Sequence, residues 1–85
     1  MALQLSYFAW VRETMAVDAE GVDLPSGVCT IADLAGWLAA RDARGAAAFA
    51  DLSRIRAARD NQMVPLDTLI GDARDIALFP PVTGG

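Results

Sequence analysis

The chain has 85 residues, enough for one domain with a modest core, and its 54% hydrophobic and 21% charged residues are typical of a globular protein. It has no histidine and 1 cysteine, which excludes a Ser–His–Asp triad, an internal disulfide and a cysteine-rich zinc cluster. All 7 basic residues are arginines, so a lysine Schiff base and a P-loop lysine are also excluded, and the net charge of −4 argues against a nucleic-acid partner.

The same data predict a cytoplasmic protein. Residues 1–5 carry no basic stretch, so we expect no secretory signal, and no apolar run approaches the roughly 18 residues of a membrane span. A single thiol fits that compartment, and we expect no membrane partner. The acidic charge is explained either by solubility alone or by a partner with a positive docking surface.

The first predicted element is a strand within residues 3–11. Its first large apolar residues alternate with polar ones in a period of two: Leu3, Leu5 and Tyr7. Phe8 and Trp10 break this alternation near the end of the strand. They are either covered by a short turn at residues 12–15 or form an exposed contact patch. A second short strand is predicted at residues 19–24.

An amphipathic helix of about twelve residues is predicted after Thr30, whose side chain is typical of an N-cap. Four apolar residues follow the spacing of one helix face: Ile31, Leu34, Ala35 and Leu38. We expect Trp37 to line the edge of the core and Cys29 to be a small buried residue. Gly45 is expected to separate this helix from a short second helix at residues 46–50.

Three further strands are predicted at residues 55–59, 63–64 and 75–79. Pro65 restricts the middle one to a sheet edge or a strand end. The order of elements predicts an α+β domain at residues 1–79, with a mixed sheet of about four to five strands and one main helix across one face. The first and last strands are expected to pair in parallel at its centre, which is the β-grasp, ubiquitin-like arrangement.

Few side chains in the chain are suited to chemistry. Asp72 and Asp75 are interpreted as a solvated turn rather than as paired catalytic carboxylates. Arg54, Arg56 and Arg59 are either ordinary surface residues or a docking site for a partner. On a strand, Arg54 and Arg56 would share one face.

The last residues are predicted to form an extended tail outside the sheet: Pro80, Pro81, Val82, Thr83, Gly84 and Gly85. The two prolines keep the backbone extended and cannot continue a central ladder. Six residues span about 20 Å at roughly 3.3–3.6 Å each, so the tail can place its terminal carboxylate deep inside another protein. A carboxylate is a poor electrophile, but activation as an acyl-adenylate and displacement of AMP by sulfur would convert it into a nucleophilic thiocarboxylate.

The ending Leu78-Phe79-Pro80-Pro81-Val82-Thr83-Gly84-Gly85 and the segment Phe8-Ala9-Trp10-Val11-Arg12-Glu13 resemble two motifs of one family. They are similar to the tail and to the Phe-Ala-x-Val-Arg-Glu signature of the small subunit of molybdopterin synthase, a ubiquitin-like sulfur carrier. The similarity extends over essentially the whole chain.

By that resemblance, Gly85 would be adenylated by an E1-like adenylyltransferase that uses ATP and Mg²⁺, and sulfur would come from a persulfide or sulfurtransferase system. The tail would insert into the large synthase subunit, which holds cyclic pyranopterin monophosphate. Two small and two large subunits would form the synthase, and two sulfurs would build the dithiolene of molybdopterin. The chain itself would be a non-catalytic sulfur donor that binds neither a cofactor nor a metal.

The resemblance also implies a docking surface formed by Phe8, Met63 and Phe79, which face partners in that family. The alternative is that all three belong to the core. The segment Asp72-Ala73-Arg74-Asp75 departs from the usual Asp-Gly-Asp-Glu, which changes the turn and its charge but leaves the tail intact.

Three other functions remain open from the sequence. Carriers of the thiamine, cysteine and tRNA-thiolation pathways share the fold and the Gly-Gly end. A protein modifier would join lysines of other proteins through Gly85. A β-grasp interaction module would have a chemically inert tail.

Overall fold

The computed structural model describes residues 2–81 of the chain. The described elements, in chain order, are β1 (Leu3–Tyr7), α1 (Ala9–Met15), β2 (Ala19–Val22), α2 (Ile31–Arg41), α3 (Ala43–Ala48), a 3₁₀ turn (Leu52–Arg54), β3 (Arg56–Arg59), β4 (Gln62–Val64) and β5 (Asp75–Phe79). The tail positions Val82, Thr83, Gly84 and Gly85 lie outside the described residues.

The strands form one mixed sheet in the order β2-β1-β5-β3-β4. The first and last strands pair in parallel at its centre, where Leu5 lies opposite Ile76, and the other strand pairs are antiparallel. A parallel pair formed by the two ends of a chain requires a long crossover, which α2 and the elements after it provide. The predicted α+β, ubiquitin-like β-grasp fold is confirmed.

One face of the sheet packs against α2, and we call it the covered face. The helix turns its predicted apolar stripe toward the sheet, and all four residues of that stripe are 0% exposed: Ile31, Leu34, Ala35 and Leu38. The strands contribute alternate residues that are at most 1% exposed: Leu5, Tyr7, Ile76 and Leu78. Full burial of one such side chain stabilises the fold by roughly 1.5–3 kcal/mol, so each large residue of this layer contributes to the stability of the domain.

The start of α2 has a capping box, of which the sequence indicates the N-cap residue, Thr30. Asp33 N–H donates to Oγ1 of Thr30 at 3.0 Å, and the Asp33 carboxylate accepts the N–H groups of Thr30 and Cys29 at 3.1 Å each. These backbone donors lower the pKa of Asp33. The reciprocal bonds satisfy orphan amides of the first turn and fix where the helix begins.

A polar network ties the β1–β2 edge to the end of α2. The hydroxyl of Tyr7 donates to Glu20 at 2.8 Å, and the Arg41 guanidinium donates to both oxygens of Glu20 at 2.9 and 3.0 Å. Arg41 lowers the pKa of Glu20, whereas burial raises the pKa of Tyr7. The bidentate pair therefore gives the half-buried carboxylate two charge-assisted hydrogen bonds from one guanidinium.

The prediction of a strand through residue 11 followed by a short turn is wrong. The strand ends at Tyr7, and α1 begins at Ala9, which takes a left-handed conformation with a φ of 54°. Val11 and Met15, one helical turn apart, are the residues of α1 that are buried. A helix this short has only one pair of buried residues at helical spacing. In the sequence, the neighbouring aromatic residues made the segment resemble the end of a strand.

Two local predictions for single residues are also wrong. Gly45 lies inside α3 rather than before it, because Asp42 caps that helix and accepts Gly45 N–H at 2.8 Å. Gly45 is buried, and a Cβ there would collide with the carbonyl oxygen of Leu38. Cys29 is exposed, not buried. Its backbone, rather than its side chain, contacts the rest of the domain, since the Cys29 carbonyl accepts the N–H of Ile70 at 2.8 Å.

Other predictions are confirmed. Trp37 packs against the edge of the core, half-buried, and β4 is an edge strand as Pro65 requires. Asp60 and Asn61, both with positive φ, form the tight turn between β3 and β4. Within residues 2–81, no helix is long and apolar enough to cross a membrane.

Candidate functional site

The described chain reaches the start of the tail at the end of β5, in the middle of the sheet, and we call this place the tail exit. β5 lies between β1 and β3 and ends at Phe79, and Pro80 and Pro81 follow it, the first half-buried and the second exposed. Neither proline has an N–H to donate to a neighbouring strand, so the ladder stops and the chain continues away from it. The predicted reactive position, Gly85, is four residues further on, beyond the described part of the chain.

Phe8 lies beside this exit. Tyr7 pairs with Leu78, and Phe8 keeps an extended backbone and donates its N–H to the carbonyl of Leu78 at 3.3 Å. Continuing that register by one residue places Phe8 next to Phe79. Because side chains alternate along a strand, both lie on the face of the sheet opposite α2.

The same face, which we call the open face, carries a row of apolar residues. Ala77 pairs with Ala58, and Ala58 pairs with Met63. We call the following residues the open-face patch: Phe8, Ala58, Met63, Ala77 and Phe79. Phe8 is 50% exposed and Met63 is 63% exposed, so the alternative that places all three predicted interface residues in the core is wrong for these two. An exposed cluster of large apolar side chains is typical of a contact surface.

A basic cluster borders the open-face patch where the tail departs. Arg56 pairs with Phe79, the last residue of β5, and is therefore on the open face. Arg54 belongs to the 3₁₀ turn rather than to a strand, and its guanidinium lies 4.9 Å from the centroid of the Trp10 ring. The Arg54–Trp10 contact joins residues far apart in the chain, and no periodicity in the sequence indicates it.

The other end of β5 carries a different feature. A cleft of about 810 Å³ opens there, lined by Leu3, Leu24 and Ile70 with Asp72 and Arg74 beside them. The segment that departs from the family pattern, residues 72–75, therefore lies at the start of β5, one strand length from the tail. Asp72 is paired with Arg59 at 3.1 Å, which supports its interpretation as part of a solvated turn.

The described side chains offer little to a reaction. Within residues 2–81, no three acidic, cysteine or histidine side chains are grouped closely enough to hold a metal ion, and no buried polar side-chain atom lacks a hydrogen-bond partner. Cys29 is not at the tail exit. Its backbone is bonded to Ile70, a residue of the loop before β5. What the described residues offer is an exposed apolar surface beside the point where the chain's last residues follow β5.

Comparison with known proteins agrees with this arrangement. A protein of Escherichia coli (strain K12) named molybdopterin synthase sulfur carrier subunit is 36% identical over 85 residues, covering 98% of this chain and 99% of that protein. A Haemophilus influenzae protein of the same name is 31% identical over 83 residues, covering 98% and 99%.

Solved structures share the fold. SAMP1 from Haloferax volcanii superposes with a TM-score of 0.70 over 100% of both chains, at 22% sequence identity. At this identity the similarity supports a shared fold only. A putative molybdopterin converting factor, subunit 1, from Pyrococcus furiosus gives a TM-score of 0.72 at 25% identity, covering 96% and 99% of the two chains. The sequence matches the ThiS family over residues 5–85. The chain therefore belongs to the ThiS family.

Proposed function

We propose that this chain is the sulfur carrier subunit of a molybdopterin synthase. The observation that carries the proposal is the end-to-end similarity, at 36% identity, to a relative named molybdopterin synthase sulfur carrier subunit. The Gly84-Gly85 ending and the tail exit beside an exposed apolar surface support it. In this function the partners recognise the folded domain, and the reactive atom belongs to the main-chain terminus.

The proposed chemistry takes place on the carboxylate of Gly85. A carboxylate oxygen attacks the α-phosphorus of ATP, pyrophosphate leaves, and an acyl-adenylate forms in an E1-like adenylyltransferase that holds ATP and Mg²⁺. Hydrosulfide, or a persulfide from a sulfurtransferase, then attacks the acyl carbon and displaces AMP. A persulfide forms an acyl disulfide, which a thiol must reduce to release the thiocarboxylate. Every one of these steps uses groups that the partners provide.

The domain's contribution is recognition. The open-face patch presents Phe8, Met63 and Phe79 to the large synthase subunit, and residues 80–85 enter that subunit's active site. Large apolar side chains at the centre of an interface commonly supply most of its binding energy. There the thiocarboxylate sulfur attacks an electrophilic carbon of cyclic pyranopterin monophosphate and displaces an oxygen substituent of that carbon, which gives a thioester between the pterin and Gly85. Water then cleaves the acyl–sulfur bond, which leaves the sulfur on the pterin and regenerates the Gly85 carboxylate.

We place this function in the cytoplasm, and we assign no bound cofactor to the chain itself. ATP and the pterin substrate are bound by the partners. Carriers of the thiamine, cysteine or tRNA-thiolation pathways would undergo the same activation and differ only in the acceptor of the sulfur. A protein modifier would instead transfer the Gly85 acyl group to lysine amines.

Intact-mass spectrometry tests the activation. The chain is incubated with the cognate adenylyltransferase, ATP and sulfide, and we expect its mass to rise by the difference between one sulfur and one oxygen atom. The chain lacking Gly85 is the matched control and should keep its mass. An unchanged mass of the full chain, with an enzyme that activates another carrier, would refute the proposal. Transfer of the chain to lysines of added proteins would identify a modifier.

A further inference from the structure

Arg54 and Arg56 are exposed cations without a carboxylate partner in residues 2–81. Three other arginines are engaged, because Arg12, Arg41 and Arg59 lie within 4 Å of acidic side chains. In a chain with a net charge of −4, two adjacent uncompensated arginines form a local reversal of charge. Both lie at the tail exit.

The aromatic ring of Trp10 supports the Arg54 guanidinium. The guanidinium carbon lies 4.9 Å from the ring centroid, within the range of a cation–π contact. Trp10 itself is half-buried and packs against the core. A cation–π contact does not use the N–H donors of the guanidinium in hydrogen bonds to a carboxylate, so these donors stay available to an incoming group. Arg54 is therefore positioned without being neutralised.

Arg56 is positioned by different contacts. Its Nη1 atom donates to the carbonyl oxygens of Ser53 at 3.3 Å and Ile55 at 3.0 Å. These bonds leave the edge formed by Nε and Nη2, which has the spacing that a carboxylate accepts in a bidentate pair. Because Arg56 pairs with Phe79, this edge adjoins the open-face patch.

Asp51, the acidic residue preceding this turn, forms no ion pair with either arginine, and its pKa is lowered mainly by hydrogen bonds from Ser53 and to a smaller extent by the nearby Arg54 cation. Its carboxylate accepts the backbone N–H of Ser53 at 3.0 Å and the Ser53 hydroxyl at 2.6 Å. It lies beyond ion-pair distance of both Arg54 and Arg56. The two guanidinium groups thus face solvent with donors unused by described carboxylates.

We propose that Arg54 and Arg56 form a docking site for carboxylate side chains of the large synthase subunit, beside the recess that receives the open-face patch. The proposal rests on the function proposed above, and the large subunit is the partner that the relatives' names imply. The site is continuous with the patch and the tail exit, so one partner surface covers all three. The acidic charge of the whole chain disfavours nucleic acid as the occupant.

The test measures the dissociation constant of the full chain and the cognate large subunit by calorimetry over a range of NaCl concentrations. The double variant Arg54→Ala/Arg56→Ala should bind about tenfold more weakly at low salt and show a flatter salt dependence. The double variant Arg44→Ala/Arg74→Ala is the matched control. It removes the same charge from two exposed arginines elsewhere, and we expect its affinity to change less than about twofold.

A second variant separates positioning from charge. Trp10→Leu keeps both cations but removes the ring beneath Arg54, and it should weaken binding by less than the double arginine variant. Circular dichroism confirms that each variant is folded. The control variant Arg44→Ala/Arg74→Ala should transfer sulfur as fast as wild type, since neither residue belongs to the proposed docking site.

The outcomes separate this proposal from the proposed function. Equal losses for both double variants would show an effect of net charge only and overturn the docking site, as would wild-type affinity of Arg54→Ala/Arg56→Ala with sulfur transfer intact. A loss of affinity only for the adenylyltransferase would assign the site to that enzyme and contradict the large-subunit assignment. A wild-type chain that binds no large subunit would overturn both proposals.

Discussion

The two faces of the sheet are built from neighbouring residues that have opposite roles. On the covered face, Ile76 and Leu78 are 0% exposed and pack under α2, whereas the alternate residues of β5, Ala77 and Phe79, lie on the open face. Every described residue of the open face is at least partly accessible, and Met63 is 63% exposed. The period-two alternation of a single strand thus places core residues on one face and the proposed docking residues on the other, and mutations one residue apart should separate stability from binding.

The largest expected effect is that of Leu78→Ala compared with Phe79→Ala. The first leaves a cavity in the covered face and should cost about 3 kcal/mol, lowering Tm by about 15 °C. The second removes a half-buried ring and should cost about 1 kcal/mol. Thermal unfolding measures both. Affinity for the large subunit should follow the reverse order when both variants are measured folded, at low temperature, with Phe79→Ala weakened more.

Two outcomes would contradict this separation of the two faces. If Phe79→Ala destabilises the domain as strongly as Leu78→Ala, the open face is part of the folding core. If both variants retain wild-type affinity, the open-face patch is not the contact surface.

A second comparison sets two glycines of the helical layer against each other. Gly45→Ala should cost about 2 kcal/mol, because its Cβ would collide with the carbonyl of Leu38 and force α2 and α3 apart. Gly36→Ala, on the exposed side of α2 with no atom within 4 Å of the new Cβ, should stabilise the fold by about 0.5–1 kcal/mol. Urea unfolding measures both, and equal effects would contradict the close approach of the two helices.

The pH dependence of stability should reveal the network at the sheet edge. Arg41 lowers the pKa of Glu20 below its usual 4.5, so this carboxylate stabilises the fold above that value, and the contribution is lost as pH falls through its folded pKa. Glu20→Gln should cost about 1 kcal/mol at pH 7, and its difference from wild type should shrink in acid. Glu13→Gln, on the exposed side of α1, is the control. A pH-independent cost would contradict the pairing with Arg41.

The smallest expected effect concerns the end of α1. Ala16 takes a left-handed conformation with a φ of 65° at the C-cap, where glycine is favoured. Ala16→Gly should therefore raise the free energy of unfolding by about 0.5 kcal/mol, measured by urea titration. Ala46→Gly, inside α3, should lower it instead. A loss at Ala16 would show that the residue is not held in that conformation.

Much of the fold was predictable because its signals are periodic and long enough to read. The alternation of Leu3, Leu5 and Tyr7 predicts β1, and the spacing of apolar residues after Thr30 predicts the buried face of α2. The apolar run at residues 75–79 coincides with β5. From these three elements the parallel centre of the sheet follows by connection rules alone.

The errors have physical causes of their own. α1 is only 7 residues long and starts at a single left-handed alanine, a choice that tertiary contacts make and that local preference opposes. Cys29 lies in the loop before α2, where no periodic pattern indicates whether a side chain is buried or exposed. The Arg54–Trp10 contact, and with it the basic cluster beside the tail, arises only when the 3₁₀ turn meets α1.

The most direct test of the account is reconstitution of the sulfur transfer. The purified thiocarboxylated chain is mixed with the cognate large subunit and cyclic pyranopterin monophosphate, and molybdopterin is measured together with the mass of the chain. We predict that molybdopterin forms and that two chains return to the Gly85 carboxylate for each dithiolene. No molybdopterin in this assay, with delivery of sulfur to a thiamine, cysteine or tRNA acceptor, would contradict the assigned function.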